Sequence, residues 1–110
     1  FHSDGNCESL ISDLIEIGVD ILDPVQPECM SPEKIRKRYG NNITLHGTIS
    51  LQKTLPYGTT REVKNEAKKI IDKCGEEGKL IIAPSNLVQK DVPLENIKAL
   101  YDFCQNYKIE

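Results

Sequence analysis

The feature that most constrains this chain is the alternation of short apolar runs with longer segments of helical period. Val19-Asp20-Ile21-Leu22, Ile43-Thr44-Leu45 and Leu80-Ile81-Ile82-Ala83 are brief and rich in β-branched residues, as strands are. Around them apolar residues recur at helical spacing: Leu10, Ile11, Leu14 and Ile15; Ile35 and Tyr39; Val63, Ala67, Ile70, Ile71 and Cys74; Ile97, Leu100, Tyr101 and Cys104. Strand and helix in regular alternation give a parallel sheet joined by right-handed crossovers, so the fold class is α/β.

Local signals punctuate the same pattern. Ser31-Pro32-Glu33 starts a helix with a hydroxyl cap, a proline in the first turn and an early acid. Thr59 and Glu62 stand three apart, as a capping box requires, and Gly18, Gly40, Gly75 and Gly78 mark the ends of helices. Asp23 to Met30, with two prolines, reads as an irregular loop, and His46-Gly47-Thr48-Ile49 as the start of another that reaches Leu55-Pro56-Tyr57-Gly58. Leu80 to Ala83 reads as a strand buried on both faces.

Loops after strands are thus long and rich in Pro, Asn, Gln, Thr and His, whereas those after helices are short. That asymmetry places function at the C-terminal ends of the strands, as in a β/α barrel. A complete barrel needs eight strands and roughly 250 residues. Only four strands are expected here, the first being Phe1-His2, and no initiating methionine precedes it. Residues 1–110 are therefore expected to be a single partial domain of about four β/α units, cut from a longer barrel. The alternative is a flavodoxin-like open sheet, which normally carries a glycine-rich phosphate loop that this chain lacks.

A net charge of −3 over 110 residues offers no footprint for nucleic acid. No apolar run approaches the roughly 20 residues of a membrane helix, and the first residues lack a signal peptide's basic and apolar regions, so the expected location is the cytoplasm. Cys7, Cys29, Cys74 and Cys104 are irregularly spaced with no Cys-x-x-Cys pair. They read as free thiols, the alternative being a disulfide framework.

Five segments, His2-Ser3-Asp4-Gly5-Asn6, Asp23-Pro24-Val25-Gln26-Pro27, Gly47-Thr48-Ile49, Leu55-Pro56-Tyr57-Gly58-Thr59 and Val92-Pro93-Leu94-Glu95-Asn96-Ile97, resemble successive blocks of the uroporphyrinogen decarboxylase and corrinoid methyltransferase superfamily. Their order and spacing agree across nearly the whole chain. The resemblance implies the C-terminal half of a (β/α)8 TIM barrel. It also implies one of two reactions at the barrel mouth: decarboxylation of uroporphyrinogen in porphyrin biosynthesis, which requires no cofactor, or methyl transfer between a corrinoid and a thiol. The second implies corrinoid (cobalamin) and zinc as cofactors, with a tetrapyrrole, a methylated small molecule or a corrinoid protein as partner. Methyl transfer is favoured, because Pro84-Ser85-Asn86-Leu87 lacks the histidine and glycines of the decarboxylases.

The methyltransferases of that superfamily hold zinc on a His-x-Cys pair and a later cysteine. Here His2 stands at the histidine position, while Asp4 and Asn86 replace the two cysteines. His2 and Asp4, two apart on a strand, share a face and are catalytic or metal-ligand candidates. Their structural alternative is loop hydrogen bonding, with Asp4 capping the next helix. His46 is the third catalytic candidate, as an acid or base, and its alternative is a partly buried packing residue. Gln26, Gln52, Tyr57 and Asn86 are the candidate substrate-binding residues on the loops. A catalytically inactive half-barrel that closes by pairing with itself or a partner through open sheet edges is the second function class.

Overall fold

Three parallel strands, β1 (Ile21–Val25), β2 (Thr44–Ile49) and β3 (Leu80–Pro84), lie in that order in the computed structural model, which describes residues 5–75 and 78–108. The expected strand at Phe1-His2 lies outside the described residues. A 3-10 turn at Glu8–Leu10 leads into α1 (Ile11–Glu16), and α2 (Pro32–Tyr39) follows β1. After β2 come a single turn, α3 (Thr54–Tyr57), and the long α4 (Thr60–Cys74); α5 (Leu94–Asn106) follows β3.

Helix starts follow the local chemistry. The Ser31 hydroxyl accepts from the Lys34 amide. Thr59 and Glu62 form a reciprocal box, each side chain accepting from the other's backbone N–H at 3.2 and 3.0 Å. These bonds satisfy donors that the first helical turn leaves unpaired.

Helices cover one face of the sheet. Leu22, Leu45 and Leu80 are in register across the three strands and point toward that layer. The first two pack with Ile11, Leu14, Ile35 and Cys74, while Ile49 packs with Val63, Ala67, Ile70 and Leu100 under α4 and α5. Each such Leu or Ile contributes about 1.5–3 kcal/mol by leaving water. Alternation then directs Ile21, Asp23, Thr44, His46 and Ile81 to the other face, which no described element covers. Ile21 is 39% exposed and Ile81 43%, so β3 is buried on its helix side only. The expectation of a strand buried on both faces is corrected, because the helix layer lies on one side. At 17 Å the shortest dimension is that of one sheet backed by one layer of helices.

The N-terminal end of the sheet is tied by Arg36. Its guanidinium donates to the carbonyls of Cys74 (3.1 Å), Gly40 (2.6 Å), Ile43 (2.9 Å) and Lys79, joining the ends of α2 and α4 to the starts of β2 and β3. A planar fork of N–H donors suits this convergence.

Other expectations are corrected in detail. Asp23-Pro24-Val25 and His46 to Ile49 belong to strands rather than loops, because parallel pairing continues to Val25↔Gly47 and Ile49↔Pro84. Leu10 and Tyr101, assigned to apolar stripes, are about half exposed, each at the edge of its helix's buried face. All four cysteines are free, and burial pushes the Cys74 thiol up to about 11, far from reactive thiolate character. No helix among the described residues is long and apolar enough to cross a membrane.

Candidate functional site

Beyond the C-terminal ends of the three strands the loops enclose a cavity of about 470 Å³. Gln26 enters it from the end of β1, Leu51 and Gln52 from the turn after β2, and Tyr57 from the end of α3. Ser85, Asn86, Leu87, Gln89 and Asp91 enter from the loop after β3. All four residues expected to bind substrate, Gln26, Gln52, Tyr57 and Asn86, are therefore brought to one cavity. A hollow of similar size, about 480 Å³, lies between α1 and α2. It touches none of these residues, so position on the fold, rather than volume, identifies the site.

Buried polar contacts hold the cavity walls. Ser50, almost wholly buried, donates its amide to Glu66 Oε2 at 2.9 Å, while its hydroxyl accepts from the Lys53 and Thr54 amides and begins α3. The Thr54 hydroxyl donates to Glu66 Oε1 at 2.8 Å, so one carboxylate on α4 fixes the whole turn. Burial raises the Glu66 carboxyl above its ordinary range against these hydrogen bonds, which lower it. From α5, the Asn96 amide nitrogen donates to the carbonyls of Leu55 and Gly58, both at 2.9 Å, and clamps the segment that carries Tyr57. Asn96 is 1% exposed, and nothing in its surroundings invites a ligand. Its role is to join two segments distant in sequence.

At the end of β2 the backbone departs from a regular strand. Gly47 has φ +97°, and a β-carbon there would meet Pro24 Cβ at 3.3 Å and Ser85 Cα at 3.5 Å. Only glycine lets β1 and the β3 loop approach so closely. Thr48 follows with φ 85°, an uncommon conformation for a β-branched residue, and its buried Oγ1 has no hydrogen-bond partner among the described residues.

His46 does not line the cavity. It lies one rung earlier on β2, on the uncovered face, with Nδ1 2.7 Å from Asp23 Oδ1. Each side chain is about one-third exposed. His46 is thus partly buried and hydrogen-bonded to Asp23, a placement common to both of its readings, as acid or base and as packing residue. Asp23 was missed by sequence reasoning, which read it as loop. Treating Ile21-Leu22-Asp23 as strand places Asp23 opposite the buried Leu22 face, and this alternation was the available signal.

His2 and Asp4 lie outside the described residues. Among the described residues no group of three His, Cys, Asp or Glu is placed to hold a metal ion. Asn86, at the position where the resemblance implies a final cysteine ligand, accepts from the Leu87 amide through Oδ1 at 2.7 Å. The described residues do not fit a thiolate-type zinc centre.

Among known proteins, the uroporphyrinogen decarboxylase (URO-D) family matches residues 1–107. Among solved structures, a methyltransferase from Methanosarcina mazei superposes with a TM-score of 0.74 at 30% sequence identity. The match covers 94% of this chain and 29% of that one, so the chain spans under a third of that methyltransferase's length.

Proposed function

This chain belongs to the uroporphyrinogen decarboxylase family, and from that premise we propose that it forms part of a corrinoid-dependent methyltransferase rather than of a porphyrinogen decarboxylase. One observation carries the choice. The cavity presents four side-chain carboxamides, Gln26, Gln52, Asn86 and Gln89, one carboxylate, Asp91, and among its described lining no lysine or arginine.

Uroporphyrinogen is a polycarboxylate, and a pocket for it needs cations to offset the cost of desolvating those charges. An amidated corrinoid presents primary amides around its ring. Side-chain carboxamides both donate to and accept from such groups, and a single carboxylate opposes none of them. Leu51, Leu87 and Tyr57 supply apolar surface for the macrocycle. Similarity to the Methanosarcina methyltransferase supports the same choice. Methyl transfer itself requires the cavity to bind, orient and exclude water, which loops clamped by Glu66 and Asn96 are suited to do.

The test is to mix the natural protein carrying this chain with methylcobalamin and mercaptoethanol, following demethylation by absorbance and the thioether by mass spectrometry. Equal formation of thioether and loss of methyl donor is expected. Carbon dioxide release from uroporphyrinogen without any demethylation would assign it to the decarboxylases instead.

A further inference from the structure

Behind the turn that Glu66 fixes lies a smaller cavity, of about 190 Å³, between the end of β2, the start of α2 and one side of α4. Pro27, Glu33, Thr48, Glu66 and Lys69 are among the residues that line it. Its polar atoms are not all satisfied. Thr48 is fully buried, and its Oγ1 has no hydrogen-bond partner among the described residues. The same is true of the buried Oε1 of Glu28, the residue that follows Pro27 in the wall. Buried oxygens left unpaired are costly, and two in one neighbourhood call for an occupant.

Charge says which kind of occupant. Glu28 acts on Glu66 as a like charge, and does so more strongly than Lys69 acts as an opposite one. Lys69 is instead paired with Glu33, its Nζ 3.2 Å from Oε1. With that pair balanced, the Glu28 and Glu66 carboxylates remain opposed to each other. Glu66 accepts one hydrogen bond through each oxygen, from Ser50 and Thr54, and a carboxylate offers about four lone-pair sites, so it can still bind a ligand.

We propose that this cavity binds a divalent cation, calcium, held by the Glu28 and Glu66 carboxylates and the Thr48 hydroxyl and otherwise by water. All the donors are oxygens, which suits a hard ion. Calcium accepts an irregular set completed by water, whereas magnesium demands near-ideal octahedral geometry. Water alone could pair with the Thr48 oxygen but would leave two negative charges opposed. With fewer than three acidic ligands the site is weak, with a Kd on the order of 10⁻⁴ to 10⁻³ M. None of these three residues lines the substrate cavity, so the inference holds whichever reaction takes place there.

Glu66 carries the effect to the mouth. The carboxylate that would bind calcium also holds the Ser50 amide and the Thr54 hydroxyl, and Thr54 begins the turn that ends in Tyr57. Calcium therefore steadies the segment that brings Gln52 and Tyr57 to the substrate cavity.

The test titrates calcium chloride into the natural protein carrying this chain, dialysed free of calcium, with potassium chloride at matched ionic strength as the control. Heat of binding is followed by calorimetry and amide hydrogen exchange by NMR. At about 10 mM calcium, openings that break the site become roughly tenfold to a hundredfold rarer, and the Ser50 and Thr54 amides should exchange more slowly by that factor. Glu28→Gln removes a charge and Thr48→Val the unpartnered hydroxyl, each at nearly constant shape. Without calcium both variants should melt no lower than the wild type, and both should bind calcium at least tenfold more weakly. Calcium affinity in both variants equal to that of the wild type would overturn the proposal. So would wild-type protein whose Ser50 and Thr54 amides gain no protection from calcium, an outcome that leaves the cavity to ordered water.

Discussion

Single side chains at the mouth of this fold serve its geometry as much as its chemistry, and Glu66 shows how. Its carboxylate accepts from the Ser50 amide and the Thr54 hydroxyl, but burial outweighs both bonds and raises its proton affinity above the ordinary value of 4.5. A neighbouring carboxylate, Glu28, acts in the same direction. The native state therefore binds this proton more tightly than the unfolded chain does. The stability contributed by the group is complete below about pH 4.5 and is lost as pH rises through the raised native value. Urea unfolding of the chain at a series of pH values should show stability declining over the range just above 4.5. Glu66→Gln should flatten that decline, since an amide keeps one acceptor and has no proton to lose; an unchanged slope would assign the effect elsewhere. Sequence could not reveal Glu66, which at its position on α4 reads as one more acid on the polar face.

Elements are joined here by side chains reaching backbone carbonyls. Arg36 gathers four of them at the N-terminal end of the sheet, and Asn96 gathers two at the mouth. Two of the segments that carry the family resemblance, Leu55-Pro56-Tyr57-Gly58 and Val92-Pro93-Leu94-Glu95-Asn96-Ile97, turn out to be one structural unit. Asn96 of the second caps the carbonyls of the first. Asn96→Ala leaves those buried carbonyls without their donor and should cost about 1–3 kcal/mol. It should also speed hydrogen exchange of the Tyr57 and Gly58 amides, now bonded to the Lys53 and Thr54 carbonyls. Exchange at those two amides equal to wild type would show that α3 holds its own shape. The one-turn α3 itself was not expected, because its start depends on the Ser50 hydroxyl rather than on any periodic pattern.

The whole molecule is a slab with one finished face. Helices cover one side of the sheet, and the other exposes Ile21 and Ile81 around the Asp23–His46 pair. Among the described strands, β1 and β3 flank β2 on either side. A chain so built should associate with a second copy when isolated. Its mass by sedimentation equilibrium should rise with concentration, and Ile81→Lys should oppose the rise; a constant monomer mass in the unmodified chain would contradict this. The alternation of strand and helix, the Ser31 cap, the Thr59–Glu62 capping box and the stripe on α4 were all legible in sequence, because period and capping are local properties of a few neighbouring residues. So were the ends of the strands at which Gln26, Gln52, Tyr57 and Asn86 would meet, because a parallel sheet sends every such loop to the same side. The tertiary structure alone decided the rest. It set which face of β3 is buried, that Asp23 reaches His46 across 23 positions, and that Asn96 and Arg36 bind distant carbonyls. Those contacts arise from strand register and helix placement, which depend on all segments packing at once and leave no pattern in any one of them.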